Sequence, residues 1–369
     1  MQKSRLLIMM LTIIIVIGSL GLLTGCGNTA GTAGKELALI TDLGTIDDKS
    51  FNQGAWEGLK KYATEKGKTF EYYQPTEQST TAYLDAIALA VTGGAKVIVT
   101  PGFLFEEPVF LAQDHYPDIK FILLDGSPND GDWDNGPNFK TGSNTVGVTY
   151  AEHEAGFLAG YAAVKDGYHS LGFMGGMAVP AVKKFGYGFV QGAEYAAQEL
   201  GLTSGAITIK YFYTGGFAAT PEAQAMASSW YNDGVEVIFA CGGAVGNSVM
   251  AAAEAAGKKV IGVDVDQAGE SATVITSAMK ELSVSVYDCI TDYYTNKFPG
   301  GQDIVFTAAN EGVGLPMTSS KFANFTQADY DAIYAKLAAK AIDIWADVRD
   351  GADVNIVDIP KSIVIVNEY

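Results

Sequence analysis

The sequence predicts an α/β protein of two similar lobes, each a parallel β-sheet with helices on both faces. Short apolar, β-branched segments alternate with longer amphipathic segments, which is typical of parallel strands joined by helices. The first such segments are Leu37–Thr41, Phe51–Lys66, Thr81–Thr92, Val97–Thr100, Glu106–His115 and Phe121–Asp125, and the alternation starts again at Leu171. A chain of 369 residues also exceeds what one hydrophobic core usually serves.

Three blocks of the first half recur in the same order in the second half, which indicates a duplication. The matched positions are Phe51, Gly54, Gly58, Ala63, Glu65 and Gly67 with Phe185, Gly188, Gly192, Ala197, Glu199 and Gly201; Gly94, Val97, Ile98 and Gly102 with Gly234, Val237, Ile238 and Gly242; and Lys120, Ile122 and Asp125 with Lys259, Ile261 and Asp264. Open parallel sheets bind ligands beyond the carboxyl ends of their strands, so we expect a cleft where these edges meet.

We expect the first lobe to cover residues 36–150, with a return segment near 276–305. The second lobe is expected over residues 151–275, with a C-terminal part near 306–369.

The N-terminus has the pattern of a signal segment. Lys3 and Arg5 precede an apolar run, which ends in Leu23-Thr24-Gly25-Cys26. This order resembles a lipoprotein signal over residues 1–25, with Cys26 lipidated and residues 26–35 forming a flexible tether. A retained anchor helix is the alternative, because the apolar run is almost long enough to span a bilayer.

Charge and cysteine usage exclude several classes of partner. The chain has 24 basic and 42 acidic residues, a net charge of −18, so nucleic acid is not an expected partner. Cys241 and Cys289 lie in apolar segments, and there are only 3 histidines. Small buried hydrophobic side chains are therefore favoured over a disulfide or a metal site, and we expect no cofactor.

Polar residues precede the helix that begins at Phe51. Ser50 and Gln53 have capping-box spacing, so Ser50 is expected to cap the helix while the two aspartates before it favour its positive end. This leaves Phe51 unexplained. Its ring can pack in the core or stack on a flat ligand, and the sequence favours neither.

Other candidates lie near strand ends. Phe217 follows a Gly-Gly turn and precedes a helix expected to start at Thr220-Pro221, so two aromatic rings could sandwich one ligand ring. The duplicated acids Asp125 and Asp264 could accept hydrogen bonds from a sugar diol or from ring N–H groups; the alternative is a pair of solvated loop acids. Lys280 is either a helix-surface charge or a donor in the cleft.

Catalysis has little support in the sequence. The glycine-rich segment 242–246 lacks the lysine and Ser/Thr of a phosphate loop. Asp264 and Asp266 could bind a metal or act as paired acids, but no nucleophile–base motif accompanies them. A binding protein, not an enzyme, is the better interpretation.

With these residues placed, the sequence resembles the basic membrane protein family of substrate-binding lipoproteins, which serve ATP-driven importers and include bacterial purine nucleoside receptors. The matching segments are "ALITDLGTIDDKSFNQGAWEGL", "GFMGGMAVPAVKKFGYGFVQGAEYA", "GVEVIFACGGAVGNSVMAAAEAAGKKVIGVDVDQ" and "ITSAMKELSVSVYD". The resemblance implies a two-lobed periplasmic-binding-protein-like fold of type I, with three crossovers and a ligand closed in between.

The resemblance also implies a nucleoside site. Phe51 and Phe217 would stack the base, whose edge would lie near Asp42, Asn52 and Asp125. The residues that would hold the ribose are Gly243, Asp264 and Lys280. Two features depart from the family pattern. After Phe217 the family often has Asp-Asp-Pro, whereas this chain has Ala218-Ala219-Thr220-Pro221. Residues 127–144 look like an acidic loop insertion.

The sequence therefore predicts a lipid-anchored, extracytoplasmic receptor of an ABC importer that binds purine nucleosides and delivers them to a permease. One alternative is a receptor for a sugar or another small polar solute. Another is a ligand sensor that signals to a membrane partner.

Overall fold

The computed structural model describes residues 34–42 and 44–369. Residues 1–25, Cys26 and all but the last two residues of the expected tether lie outside this part of the chain. The elements of the first half are β1 Leu37–Ile40, α1 Phe51–Lys66, β2 Phe70–Tyr73, α2 Thr80–Thr92, β3 Val97–Pro101, α3 Glu106–His115, β4 Lys120–Leu124 and β5 Thr145–Tyr150. Each agrees with its predicted segment to within one residue where a prediction was made.

The second half repeats this series and extends it. Its elements are α4 Glu152–Lys165, β6 Ser170–Gly175, α5 Pro180–Glu199, β7 Ile207–Tyr213, α6 Pro221–Asn232, β8 Val237–Cys241, α7 Val245–Ala256, β9 Lys259–Asp264, β10 Val274–Lys280, α8 Leu282–Tyr294, β11 Gln302–Phe306, β12 Val313–Gly314, α9 Gln327–Ala338, β13 Val348–Arg349, β14 Ala352–Asp353 and β15 Val364–Glu368. Short 3₁₀ turns cover Phe103–Phe105 and Ala308–Asn310. None of the helices in the described residues is long and apolar enough to cross a membrane.

Two large sheets with the same internal strand order form the two lobes. The first has the order β11-β5-β4-β3-β1-β2 and the second the order β12-β10-β9-β8-β6-β7-β15. Within these two sheets all strand pairs are parallel except β10 with β12, and β13 pairs with β14 in a separate antiparallel sheet. The predicted α/β class with two parallel sheets is confirmed, and β1 to β5 occupy the same places in their sheet as β6, β7, β8, β9 and β10 do in theirs.

The chain crosses between the sheets after β5, β10 and β11. Since β10 belongs to the second sheet, the return to the first lobe begins after Lys280, later than the start expected near residue 276. The residues before the first two crossing helices, α4 and α8, have similar backbone angles. Ala151 has φ −82° and ψ 64°, and Glu281 has φ −79° and ψ 55°. The Ala151 N–H donates to the Phe306 carbonyl, which ties the first crossover to the third.

Each crossing helix packs against a glycine-containing helix of the lobe that it enters. A Cβ atom at Gly188 or Gly192 of α5 would collide with backbone atoms of His153 or Phe157 on α4. A Cβ atom at Gly58 of α1 would lie 2.8 Å from the Ser283 Cα on α8. Gly58, Gly188 and Gly192 are therefore explained by close helix approach, which only a residue without a side chain permits.

We expect Gly192→Ala to lower the free energy of unfolding by about 1–3 kcal/mol, because the added methyl group must push α4 and α5 apart. Gly246→Ala is the matched control, since a Cβ there would meet only the Met250 Cε at 3.8 Å. It should be neutral or stabilise the helix. Urea unfolding measures both; equal effects of the two substitutions would contradict the close-packing explanation.

Candidate ligand-binding site

A cavity of about 750 Å³ lies between the two sheets, at the carboxyl ends of their strands. This volume is typical of small-molecule sites. The structure brings all eight predicted ligand-site residues to the wall of this one cavity: Asp42, Phe51, Asn52, Asp125, Phe217, Gly243, Asp264 and Lys280. Strand ends that are far apart in sequence therefore converge as the duplication predicts.

Lys280 is the last residue of β10 and lies at the second crossover. It is buried, with 3% of its surface exposed, so it is a cavity residue and not a helix-surface charge. Its ammonium group donates to Asp125 and lies 3.6 Å from carboxylate oxygens of both Glu152 and Asp264. We call Lys280, Asp125, Asp264 and Glu152 the cation end of the cavity.

The charges at the cation end depend on one another. Burial alone would lower the pKa of Lys280, but the three carboxylates outweigh it and raise the pKa above its usual value. Burial raises the pKa of Asp125 above its usual value. The Lys280 ammonium lowers this pKa, and the Glu152 and Asp264 carboxylates raise it further. Lys184 adds a second cation 3.6 Å from Glu152, and its pKa is raised chiefly by that carboxylate.

Three aromatic rings surround the Lys280 ammonium. Its nitrogen lies 4.6 Å from the centre of the Phe51 ring and 5.4 Å from the centres of the Tyr150 and Phe185 rings. Such contacts favour the charged form of a desolvated amine. Phe51 is half-buried and lines the cavity.

Sequence reasoning missed Phe185, which lines the cavity. It also missed the contacts of Tyr150 and Glu152 with Lys280 and of Lys184 with Glu152. Phe185 could have been found, because it is the duplicate of Phe51. Tyr150 and Glu152 flank a crossover whose position the strand pattern does not reveal.

The two duplicated acids have the same unusual backbone. Asp125 follows β4 and Asp264 ends β9, with φ values of 58° and 67°. This left-handed conformation turns each carboxylate from the strand toward the cavity, and aspartate tolerates it better than most residues do. Both acids face the same Lys280 ammonium, so they lie close together at one end of the cavity.

A second group of polar residues in the cavity contains no cation. The Asn52 side-chain amide donates to Asp42 Oδ1 at 3.1 Å and to Asp48 Oδ2 at 3.0 Å. The Gly44 N–H also donates to Asp42 Oδ1, at 2.7 Å. Burial raises the pKa of Asp42 and of Asp48, while these hydrogen bonds lower it. We call Asp42, Asp48 and Asn52 the acceptor end of the cavity.

The prediction that Ser50 caps α1 is wrong. Asp48 accepts the backbone N–H groups of Ser50, Asn52 and Gln53 at 2.8–3.1 Å, so this carboxylate satisfies the free donors of the first turn. The Ser50 hydroxyl instead donates to Asp264 Oδ2 of the other lobe at 2.5 Å. The residue that sequence spacing assigns to the helix cap therefore joins the two lobes.

Phe217 lies in the loop between β7 and α6. A Cβ atom at Gly176 would come within 2.6 Å of the Phe217 ring, so the ring lies directly on the backbone at the end of β6. As predicted, α6 begins at Pro221, and the Thr220 hydroxyl accepts the Ala223 N–H at 3.1 Å. Gly243 has a φ of 55° and adjoins the Phe217 backbone.

The remaining chemical candidates have structural explanations. Asp266 accepts hydrogen bonds from the Ala268 N–H and the Ser319 hydroxyl, so it does not pair with Asp264. Cys241 and Cys289 are free and buried, as expected. Within residues 34–42 and 44–369, no group of three or more His, Cys, Asp and Glu side chains is arranged to hold a metal ion.

Two sheets that share an internal strand order, three crossovers and a cavity between the lobes define a two-lobed fold that is known from solute-binding proteins. An ABC transporter solute-binding protein of Aeropyrum pernix is similar, with a TM-score of 0.66 and 22% identity over 88% of this chain and 84% of that one. A second, from Conexibacter woesei, has a TM-score of 0.67 and 22% identity over 85% of this chain and 99% of that one. At this identity the likeness shows the fold.

The family follows from the sequence matches. The model of the Bmp family, described as ABC transporter substrate-binding protein PnrA-like, matches residues 35–346, so the chain belongs to this family. The ABC transporter nucleoside-binding protein BmpA of Lactococcus lactis is 29% identical over 336 residues, 83% of this chain and 90% of the relative. Basic membrane protein A of Borreliella burgdorferi is 30% identical over 320 residues, 85% of this chain and 89% of the relative.

Family membership confirms two predictions. The resemblance to basic membrane proteins is correct, and the chain is a substrate-binding protein of an ABC transporter, not an enzyme.

We expect Lys280→Met to destabilise the protein by about 3–5 kcal/mol at pH 7, because three buried carboxylates lose their shared cation. Burial raises the pKa of Asp125 and Lys280 lowers it, so without the lysine the pKa of Asp125 will lie further above its usual value in the folded state and the folded variant will bind a proton more tightly. Its stability should therefore fall as pH rises and partly recover at pH 5. Urea unfolding at several pH values measures this.

Lys336→Met is the control, since Lys336 is 45% exposed and its ion pair with Glu199 is screened by water. A loss at Lys280 no larger than the loss at Lys336 would contradict the described cation end.

Proposed function

We propose that this protein is the receptor of an ABC importer for purine nucleosides, held at the outer face of the membrane by a lipid on Cys26. The observation that carries the ligand proposal is the cavity wall. It combines two aromatic rings from different lobes, Phe51 and Phe217, with a buried end rich in carboxylates. The printed name of the Lactococcus lactis relative, a nucleoside-binding protein, supports the same ligand class.

The charge of the cavity favours a neutral ligand. Three carboxylates at the cation end outnumber the two lysines, and the acceptor end adds two more acids. A phosphate group buried among these oxygens would be repelled and would lose its hydration. The free nucleoside, not the nucleotide, is therefore the proposed cargo.

Each part of a nucleoside has a counterpart in the cavity. We assign the base to the space between Phe51 and Phe217, with its edge at Asp42 and Asn52. We assign the ribose to the cation end, where Asp264 and Asp125 can accept hydrogen bonds from its hydroxyl groups and Gly243 lets the chain approach closely. Because Asp125 pairs with Lys280, this assignment moves it from the base edge to the ribose.

Calorimetric titration with a purine nucleoside, the free base and ribose tests the ligand class. The nucleoside should bind much more tightly than either part.

Phe51→Ala and Phe217→Ala should each weaken nucleoside binding by about 1–3 kcal/mol, the usual loss of one stacking ring. A variant that loses stability without ligand but keeps its affinity would show that the ring is a packing residue.

Asp264→Ala should weaken binding of a ribonucleoside by roughly 1.5–3 kcal/mol, the range for a hydrogen bond to a charged group. The same substitution should cost much less for the 2′,3′-dideoxy analogue, which has no diol to lose. The difference between the two losses of binding free energy cancels any effect of the substitution that is common to both ligands, including loss of the Ser50–Asp264 hydrogen bond. Equal losses for both ligands would remove the ribose role of Asp264.

A further inference from the structure

Four neighbouring strands of the first sheet have a lysine at their start. Lys68, Lys35, Lys96 and Lys120 lie within two residues of the starts of β2, β1, β3 and β4, and these strands are neighbours in that order. The first residues of the strands pair with one another in parallel register. Since adjacent strands lie about 4.8 Å apart, the four lysines form one row along the amino edge of the sheet.

A fifth lysine extends this row. Lys297 belongs to the connection from α8 to β11, which is a strand of the same sheet. Its neighbour in sequence, Phe298, has its ring centre 5.9 Å from the Lys120 nitrogen, so the two lysines lie near each other. Neither lysine forms an ion pair with any residue of the ranges 34–42 and 44–369. We call five residues the basic edge: Lys35, Lys68, Lys96, Lys120 and Lys297.

Acids offset only part of this positive charge. Glu36 lies between two of the lysines, with carboxylate oxygens 3.4 and 3.3 Å from their nitrogens. Glu71 lies 3.8 Å from a third lysine, in a pair whose side chains are 45% and 44% exposed and are therefore screened by water. Asp118 is exposed to solvent. Five lysines against these three acids leave an excess of positive charge on one edge of a chain whose net charge is −18.

The duplicated edge of the second sheet has the opposite balance. The connections into β1, β2, β3 and β4, with the first residues of these strands, contain four lysines and two acids. The same positions of their counterparts β6, β7, β8 and β9 contain three acids and two lysines: Asp166, Asp233, Glu236, Lys258 and Lys259. Since the two sheets share an internal strand order, the fold alone does not require lysines at this edge.

The chain enters the first lobe at the basic edge. The Gly34 carbonyl accepts the Thr69 hydroxyl at 2.6 Å, and the Lys35 N–H donates to the Gly93 carbonyl at 2.8 Å. These contacts hold the chain beside the starts of β2 and β3. Gly34 follows Cys26, the proposed lipid site, by 8 positions. Since an extended chain spans at most about 3.6 Å per residue, Gly34 lies no more than about 29 Å from Cys26.

We infer that the basic edge docks on the anionic headgroups of the membrane that holds Cys26, so that the cavity at the other edge of the sheet faces solvent. The inference rests on the proposed lipid anchor and adds an orientation and a second membrane contact to it. A lipid chain combined with a basic surface holds a protein on a membrane more firmly than either alone. The cavity lies at the carboxyl ends of the strands, so headgroups at their amino ends leave it uncovered.

Screening by salt explains how an acidic protein can dock in this way. At physiological ionic strength the Debye length is about 8 Å, so only charges close to the headgroups are felt. The basic edge brings more lysines than acids to that distance. The matching edge of the second sheet would bring more acids than lysines and would be repelled.

Lysine acetylation of the protein, purified with its lipid and reconstituted in vesicles, tests the inference. One set of vesicles contains phosphatidylcholine alone, and the other contains equal parts of phosphatidylcholine and phosphatidylglycerol. With a neutral reagent, we expect Lys96, Lys120 and Lys297 to react at least about threefold more slowly on the anionic vesicles. Lys258 and Lys259 are the internal control and should react equally on both. In about 1 M salt, where the Debye length is about 3 Å, the difference should disappear.

A pair of charge-reversal variants locates the contact. Lys96→Glu combined with Lys120→Glu should abolish the effect of anionic lipid on the reaction of Lys297. Lys258→Glu combined with Lys259→Glu makes the same change on the second sheet and should leave that effect intact. The comparison of the two lipid compositions uses the unaltered protein, so it decides the matter even if a variant does not fold.

The outcomes separate the docking surface from the anchor. Equal reaction rates on both kinds of vesicle, or equal slowing at Lys258 and Lys259, would show that the basic edge does not dock. The same slowing on neutral vesicles in the presence of a soluble polyanion would identify a charged polymer, and not the lipid surface, as the partner. If mass spectrometry finds no lipid on Cys26, the proposed anchor fails and the inference fails with it.

Discussion

Close packing of glycine-containing helices against the crossing helices is the constraint on which the rest of the molecule depends. Helices α4 and α8 each leave one sheet and pack in the other lobe, where Gly192 and Gly58 let the backbones approach. A helix pair that close has little freedom to slide. The strand ends that precede these helices, Tyr150 and Lys280, are consequently held together at the base of the cavity.

The buried charges follow from that position. A lysine at the end of a parallel strand would normally reach water, but the second crossover places Lys280 between the lobes. Three carboxylates and three aromatic rings compensate for its lost hydration. Because Asp125 belongs to one lobe and Asp264 to the other, this one ammonium also joins the two halves of the duplication.

The start of α1 shows how one short segment serves both helix capping and contact between the lobes. Asp48 satisfies the free N–H groups of the helix and fixes the Asn52 amide. The capping function thereby releases the Ser50 hydroxyl for Asp264 in the other lobe. It also leaves the Asn52 Oδ1 atom buried without a hydrogen-bond partner among the described residues.

The sequence by itself determined the α/β class, the duplication and most element bounds, because strand and helix periodicity and repeat spacing are local properties. The convergence of the eight candidate residues on one cavity was expected from the family resemblance. The sequence failed for Ser50, where spacing could not distinguish one acceptor from another nearby. It also missed Glu152 and Phe185. Only the tertiary structure decided that these side chains share a single ammonium, because their contacts join strand ends brought together by the crossovers, and the sequence pattern carries no record of such distances.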